Sequence, residues 1–189
     1  VAGTSTVAGA RGIYAYSYGA SGDINVQGST ITAQGATNSQ GIVAYYGSGN
    51  LTVSDTTINS STDTGNAYGF YTIDISGDTT VSDSTINVTS AGSDAYGFYT
   101  YMSGSSGTTS LGDISITDSV FNIANTGSGA AIGVRYYYWP GLSPAPSFVV
   151  SDNTFNLSSS SLSSSYTILD FTGTGLLTES NNETNKTVT

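Results

Sequence analysis

Residues Ala67–Val88 read AYGFYTIDISGDTTVSDSTINV, and nearly the same words return as AYGFYT at Ala95–Thr100 and as LTVSDTTIN at Leu51–Asn59. Self-similarity at a fixed period marks a repeat architecture, in which each unit buries its apolar face only against its neighbours. Three anchors carry the alignment. A glycine before an apolar residue recurs at Gly12, Gly41, Gly69, Gly97 and Gly133, in steps of 29, 28, 28 and 36. A Val or Ile before a polar turn recurs at Val26, Val53, Val81, Ile116 and Val150, and an Ile or Phe after that turn at Ile31, Ile58, Ile86, Phe121 and Phe155. The three columns advance together.

Inside each unit apolar residues alternate with polar or aromatic ones at a period of two, which is the pattern of strands and not of helices. Three short strands in about 28 residues describe one coil of an all-β fold, a parallel β-helix (β-solenoid) whose coils stack at roughly 4.8 Å. The expectation is a single domain over residues 1–189 with five to six coils. Residues 1–11 are a partial N-terminal coil, 12–172 the coils proper, and 173–189 a partial C-terminal coil or tail. Coils four and five carry extra residues after their first strand, MSGSSGTTSLGD and YYYWPGLSPAP, predicting a flap at one corner that holds Pro140, Pro144 and Pro146. No apolar run reaches membrane length.

Composition narrows the chemistry. A net charge of -10, with Arg11, Arg135 and Lys186 as the three basic residues, disfavours a phosphate backbone or an anionic bilayer as partner. The absence of Cys and His removes disulfides, thiolate metal sites and the commonest general base. The chain begins at Val1, without Met, and reads as a processed form or an excised piece. Its richness in Gly, Ser, Thr and Asn suggests a secreted or cell-surface location.

Two acidic columns flank the second strand: Asp23, Asn50, Asp78 and Asp113 before it, and Asp55, Asp83, Asp118 and Asp152 after it. Stacked carboxylates would suit a calcium ladder. Asx-turns at coil corners explain the same residues without metal, since exposed carboxylates about 5 Å apart repel by only about 1 kcal/mol in water. No metal or cofactor is therefore expected. An asparagine column, Asn59, Asn87, Asn122 and Asn156, suits a ladder of amide hydrogen bonds. Asn122 keeps the column without a sequon, so the sequons at Asn182 and Asn185 are the better candidates for glycosylation. A Thr column, Thr30, Thr57, Thr85 and Thr154, is interrupted by Val120, which weakens an ice-binding reading.

By parity the outer side of the first strand carries Tyr14, Tyr16, Tyr18, Tyr45, Tyr71, Tyr99, Tyr101 and Tyr137, with Trp139 beside it in the flap. Tyrosine suits strands. A contiguous aromatic band over five coils nevertheless points to a contact surface, for glycan or protein.

The coil length, the three-strand pattern and the asparagine column resemble right-handed parallel β-helix proteins of the pectin-lyase-like class, and the YGFYT and VSDSTIN words look like repeat-rich bacterial surface proteins such as autotransporter passengers. Enzymes of that class use clustered Asp with Arg, Lys or His. Here Arg135 has no basic companion and no carboxylate pair stands out, so the chain is read as having no catalytic residues. Two functions follow as expectations. One is a structural subunit of an extracellular filament, a homopolymer joined end to end through Arg11, Lys186 and Val188. The alternative is a glycan-binding adhesin or tailspike-like module using the Tyr/Trp face.

Overall fold

The computed structural model describes residues 2–5, 9–16, 21–102, 112–138, 146–160, 164–172 and 176–188. They form nineteen strands in three sheets, every pairing parallel. The first sheet stacks β2 (Ala10–Tyr16), β5 (Ser39–Tyr45), β8 (Ala67–Ile73), β11 (Ala95–Met102), β14 (Ala131–Tyr138) and β17 (Ser165–Thr172). The second stacks β3 (Ile24–Gln27), β6 (Leu51–Ser54), β9 (Thr79–Ser82), β12 (Ile114–Thr117), β15 (Ser147–Ser151) and β18 (Leu176–Ser180). The third holds β1 (Ala2–Ser5), β4 (Thr30–Gly35), β7 (Thr57–Thr62), β10 (Thr85–Ser90), β13 (Val120–Asn125), β16 (Thr154–Ser159) and β19 (Glu183–Val188). Each coil thus visits the three sheets in turn, and the molecule is a β-solenoid of six coils.

Register carries the repeat into three dimensions. Ile58 pairs with Ile86, Ile86 with Phe121 and Phe121 with Phe155, all buried. Val53, Val81, Ile116 and Val150 form the matching column in the second sheet. Burying one such side chain is worth about 1.5–3 kcal/mol, but only stacked coils deliver that burial. The interior has further columns that alternation alone did not single out. Leu51, Thr79, Ile114 and Phe148 open the second strand inward, and Ala33, Ser60, Val88, Ile123 and Leu157 continue the third.

The glycine column has a steric cause. A Cβ on Gly69 would lie 2.4 Å from Ile86 Cγ2 and 2.5 Å from the Gly97 carbonyl oxygen. The glycine is the hole that receives the third sheet's aliphatic knob, a closeness no other residue allows. Both Gly69 and Phe70 are buried, so alternation slips by one residue at each such glycine.

All three corners use one device, a side-chain oxygen that accepts a backbone N–H from an adjacent coil. At the corner from first to second sheet, Asp23 accepts from Asn50 N (2.8 Å), Asn50 from Asp78 N (2.9 Å), Asp78 from Asp113 N (2.9 Å) and Asp113 from Ser147 N (2.8 Å). From second to third sheet the acceptors point inward: Ser84 takes Thr56 N, Ser119 takes Ser84 N, Asn153 takes Ser119 N and Asn182 takes Asn153 N. From third to first sheet they are Asn38, Asn66 and Asp94, receiving Asn66 N, Asp94 N and Ala130 N. The expected Asx-turns, each closing on its own chain segment, are replaced at the Asp23 column by bonds between coils.

Backbone geometry explains the second acidic column. Asp55, Asp83, Asp118 and Asp152 have φ of 50, 49, 51 and 58°, and Gly28 and Asn181 occupy the same corner at 58 and 53°. This left-handed conformation admits Gly, Asn and Asp far better than other residues.

One expectation about the ends changes. Residues 176–188, expected as a partial coil or tail, complete a sixth coil, with β18 paired to β15 and β19 to β16. Asn182 aligns with Asn153, and the register partner of Phe155 is Thr184. The flap, including Trp139, Pro140 and Pro144, lies outside the described residues.

Candidate functional site

The outer face of the first sheet gathers most of the residues expected to make contacts. Tyr14 meets Tyr45 edge to face at 5.8 Å, Tyr45 meets Tyr71 at 5.8 Å, and Tyr71 stacks on Tyr99 at 5.1 Å. Tyr16 joins through Tyr45 at 6.4 Å. Ring pairs at 4.5–7 Å in these offset or edge-to-face geometries are attractive beyond the area they bury. Tyr101 and Tyr137 form a separate stacked pair at 5.0 Å. Trp139 and Tyr18 lie outside the described residues.

Three tyrosines of this network escaped the sequence reading. Tyr68 stacks on Tyr96 at 5.0 Å and touches Tyr71 at 4.8 Å and Tyr99 at 5.6 Å; Tyr46 touches Tyr16 at 5.7 Å. Strict alternation from Phe70 and Phe98 points Tyr68 and Tyr96 inward. The slip at Gly69 and Gly97 turns them out. The recurrent Tyr-Gly-Phe triplet was the signal, since a glycine hole and the phenylalanine after it both face the core.

Both arginines belong to this face. Arg11 lies 4.6 Å above the Tyr14 ring and donates from Nε to Gln40 Oε1 at 2.8 Å. Arg135 lies over Tyr96 and Tyr99, at 5.8 and 5.6 Å, and donates to the Tyr96 hydroxyl at 3.0 Å. That hydroxyl in turn donates to Asp94 Oδ2 at 2.6 Å. Cations over aromatic faces are favourable by about 0.5–1 kcal/mol where exposed and more when desolvated. The network therefore runs from one guanidinium to the other, in a chain that is otherwise strongly acidic.

Coverage is uneven along it. Tyr14 and Tyr16 are 48% and 56% exposed, whereas Tyr96 is 3% exposed and Val43, outward between Tyr14 and Tyr71 in register, is fully covered. Burial raises the phenol of Tyr68 to about 12, opposed by a hydrogen bond from Asn66, and burial likewise raises Tyr71, Tyr96 and Tyr45. These four phenols therefore keep their protons well above physiological pH. Outward positions of the other sheets are chiefly Thr, Ser and Asn, as at Thr52, Thr80 and Ser115 or Asn59, Asn87 and Asn122.

The remaining candidate residues have partners within the chain. The asparagine column forms the expected ladder, with Asn87, Asn122 and Asn156 each donating at 2.8 Å to the amide oxygen before it. It lies half-buried on the outer face of the third sheet, and Asn185 extends it by donating to Asn156 at 3.0 Å. Asn182 donates to the Val150 carbonyl at 2.8 Å. The amide nitrogens of both glycosylation candidates are thus engaged in coil-to-coil bonds. Lys186 donates to the Ser165 carbonyl at 2.6 Å and Arg11 to Gln40, and both residues are exposed. Val188, 55% exposed, ends β19.

Among the described residues no group of three or more acidic side chains is placed to hold a metal ion. The corner carboxylates of the Asp23 column already accept backbone N–H bonds. One hollow of about 270 Å³ opens beside Tyr14, Tyr16 and Tyr45, floored by Ile24, Leu51 and Ile75. No protein-family model, no curated protein and no solved structure matches this chain.

Proposed function

We propose that this chain is a non-catalytic contact module of the cell exterior, a rigid β-solenoid that presents its tyrosine face to a glycan. The observation that carries this reading is the asymmetry among the three outer faces. Eight tyrosines and both arginines form one connected surface on the first sheet, while the other two sheets show small polar residues. The inward columns fill the core by themselves, so nothing in its packing requires aromatic residues outside it. Tyrosine offers a sugar both an apolar ring and a hydroxyl that donates and accepts, and it loses little rotamer freedom on binding.

The half-exposed rings of Tyr14 and Tyr16 are the entry point. Replacing both with Ser is expected to abolish retention on immobilised neutral polysaccharides while the β circular dichroism spectrum is kept. Binding by the double variant equal to that of the wild type, or no retention of the wild type on any of them, would refute the proposal. The filament subunit competes with this reading, because the outermost strands β2 and β3 at one end and β17 and β18 at the other pair on one side only among the described residues, and open edges recruit strands.

A further inference from the structure

The sixth coil differs from the other five on its inner side. Column by column, Phe155 is followed in register by Thr184 and Leu157 by Lys186. The glycine position changes as well: Ile132 pairs with Tyr166 and Val134 with Ile168, so Thr167 stands where Gly133 stands one coil earlier. Glu179 likewise follows Val150 in the second sheet. Four inward positions that are chiefly apolar or empty in the earlier coils, Ser60 excepted, have become polar together.

Three of these polar groups find partners within the chain. Thr167 Oγ1 lies 3.0 Å from Thr184 Oγ1, a hydroxyl pair in place of the glycine hole and aliphatic knob. A Cβ at Gly133 would fall 2.5 Å from the Phe155 ring, but a Thr fits at 167 because the residue opposite it is the smaller Thr184. Lys186 runs across the end of the core from the third sheet and donates to the carbonyl of Ser165 at the start of the first. Its ammonium thereby satisfies a backbone acceptor of the first sheet.

We infer that the sixth coil is a stop, closing the C-terminal end of the solenoid against stacking by a second copy. Another coil laid on β17, β18 and β19 would place the Lys186 ammonium, the Glu179 carboxylate and two Thr hydroxyls under an apolar layer. An unpaired buried cation is among the least tolerated groups in a protein interior. The edge itself stays open for hydrogen bonding, so the block comes from the interior side chains and not from the backbone. Stacking of a second copy on the sixth coil is blocked, so a filament cannot grow through that face.

Restoring apolar columns should convert the stop into a joint. The variant Thr184→Val with Lys186→Leu is expected to self-associate in sedimentation velocity at least about tenfold more tightly than wild type, the effect of roughly two buried methylene groups. Removing residues 183–189 uncovers Phe155 and Leu157 and is expected to act in the same direction. The inference fails if the double variant sediments as wild type does, or if the truncation weakens an association that the wild type shows. Should circular dichroism show the double variant unfolded, Lys186→Met alone decides by the same comparison.

Discussion

At the scale of single residues, the acidic columns show how side-chain identity can be set by the backbone. Asp83 is exposed and held at φ 49°, and its column partner in the first coil is Gly28 at 58°. A glycine at 83 loses no carboxylate function that the corner uses, whereas a β-branched residue must enter the left-handed region at about 1–2 kcal/mol. Thermal denaturation should therefore find Asp83→Gly close to wild type and Asp83→Val clearly less stable. Equal losses in both would mean that the carboxylate itself is needed. The neighbouring Asp23 column differs in kind, because its oxygens accept the N–H of the next coil and their removal leaves donors unmatched.

At the scale of the element, the first sheet's outer face couples stability to alkaline pH. Tyr68 is raised from 10.0 to about 12, chiefly by burial. A group whose folded value is raised binds its proton more tightly in the folded state. Its contribution is complete below pH 10 and is lost as pH climbs towards 12. The melting midpoint should fall over that interval. Tyr68→Phe should melt lower at neutral pH, since Asn66 loses the phenol oxygen it donates to at 3.0 Å, yet decline less steeply in alkali. A parallel decline in the two proteins would place the ionisation elsewhere on the face.

At the scale of the molecule, coil-to-coil hydrogen bonds at three corners and apolar columns inside make the solenoid nearly one-dimensional, each coil resting on its neighbours. The corner oxygens of the Asp23 column already accept backbone N–H bonds, which leaves the coils joined without a cation. Thermal unfolding should give the same midpoint with chelator and with millimolar calcium, and a marked rise with calcium would show that the Asp columns take a cation in addition to their N–H donors. Among the described residues the sixth coil is paired on one side only, through β17, β18 and β19, and cooperativity runs along the stack. Polar interior positions at Thr167, Thr184 and Lys186 turn that open side into a boundary.

The sequence by itself determined the coil. Its period, its three strands and its strongest inward columns follow from local alternation and from the return of Gly69, Val81 and Ile86 equivalents at near-constant spacing, because a solenoid's contacts are copies of one local pattern. The same pattern made the asparagine ladder readable at Asn59 and Asn87, and the tyrosine face at Tyr71 and Tyr99. What alternation misses is any place where the chain departs from a period of two. Tyr68 and Tyr96 were hidden by the slip at the glycines, and the Asn38, Asn66 and Asp94 corner by bonds whose two partners lie 28 or more residues apart. The sequence marked Asn182 and Asn185 as sequons and Lys186 as an end-to-end contact, without the coil-to-coil bonds that they make. Only tertiary structure decides which groups find partners, since a hydrogen bond between coils depends on register in space, and register at the sixth coil places a lysine where the core would otherwise continue.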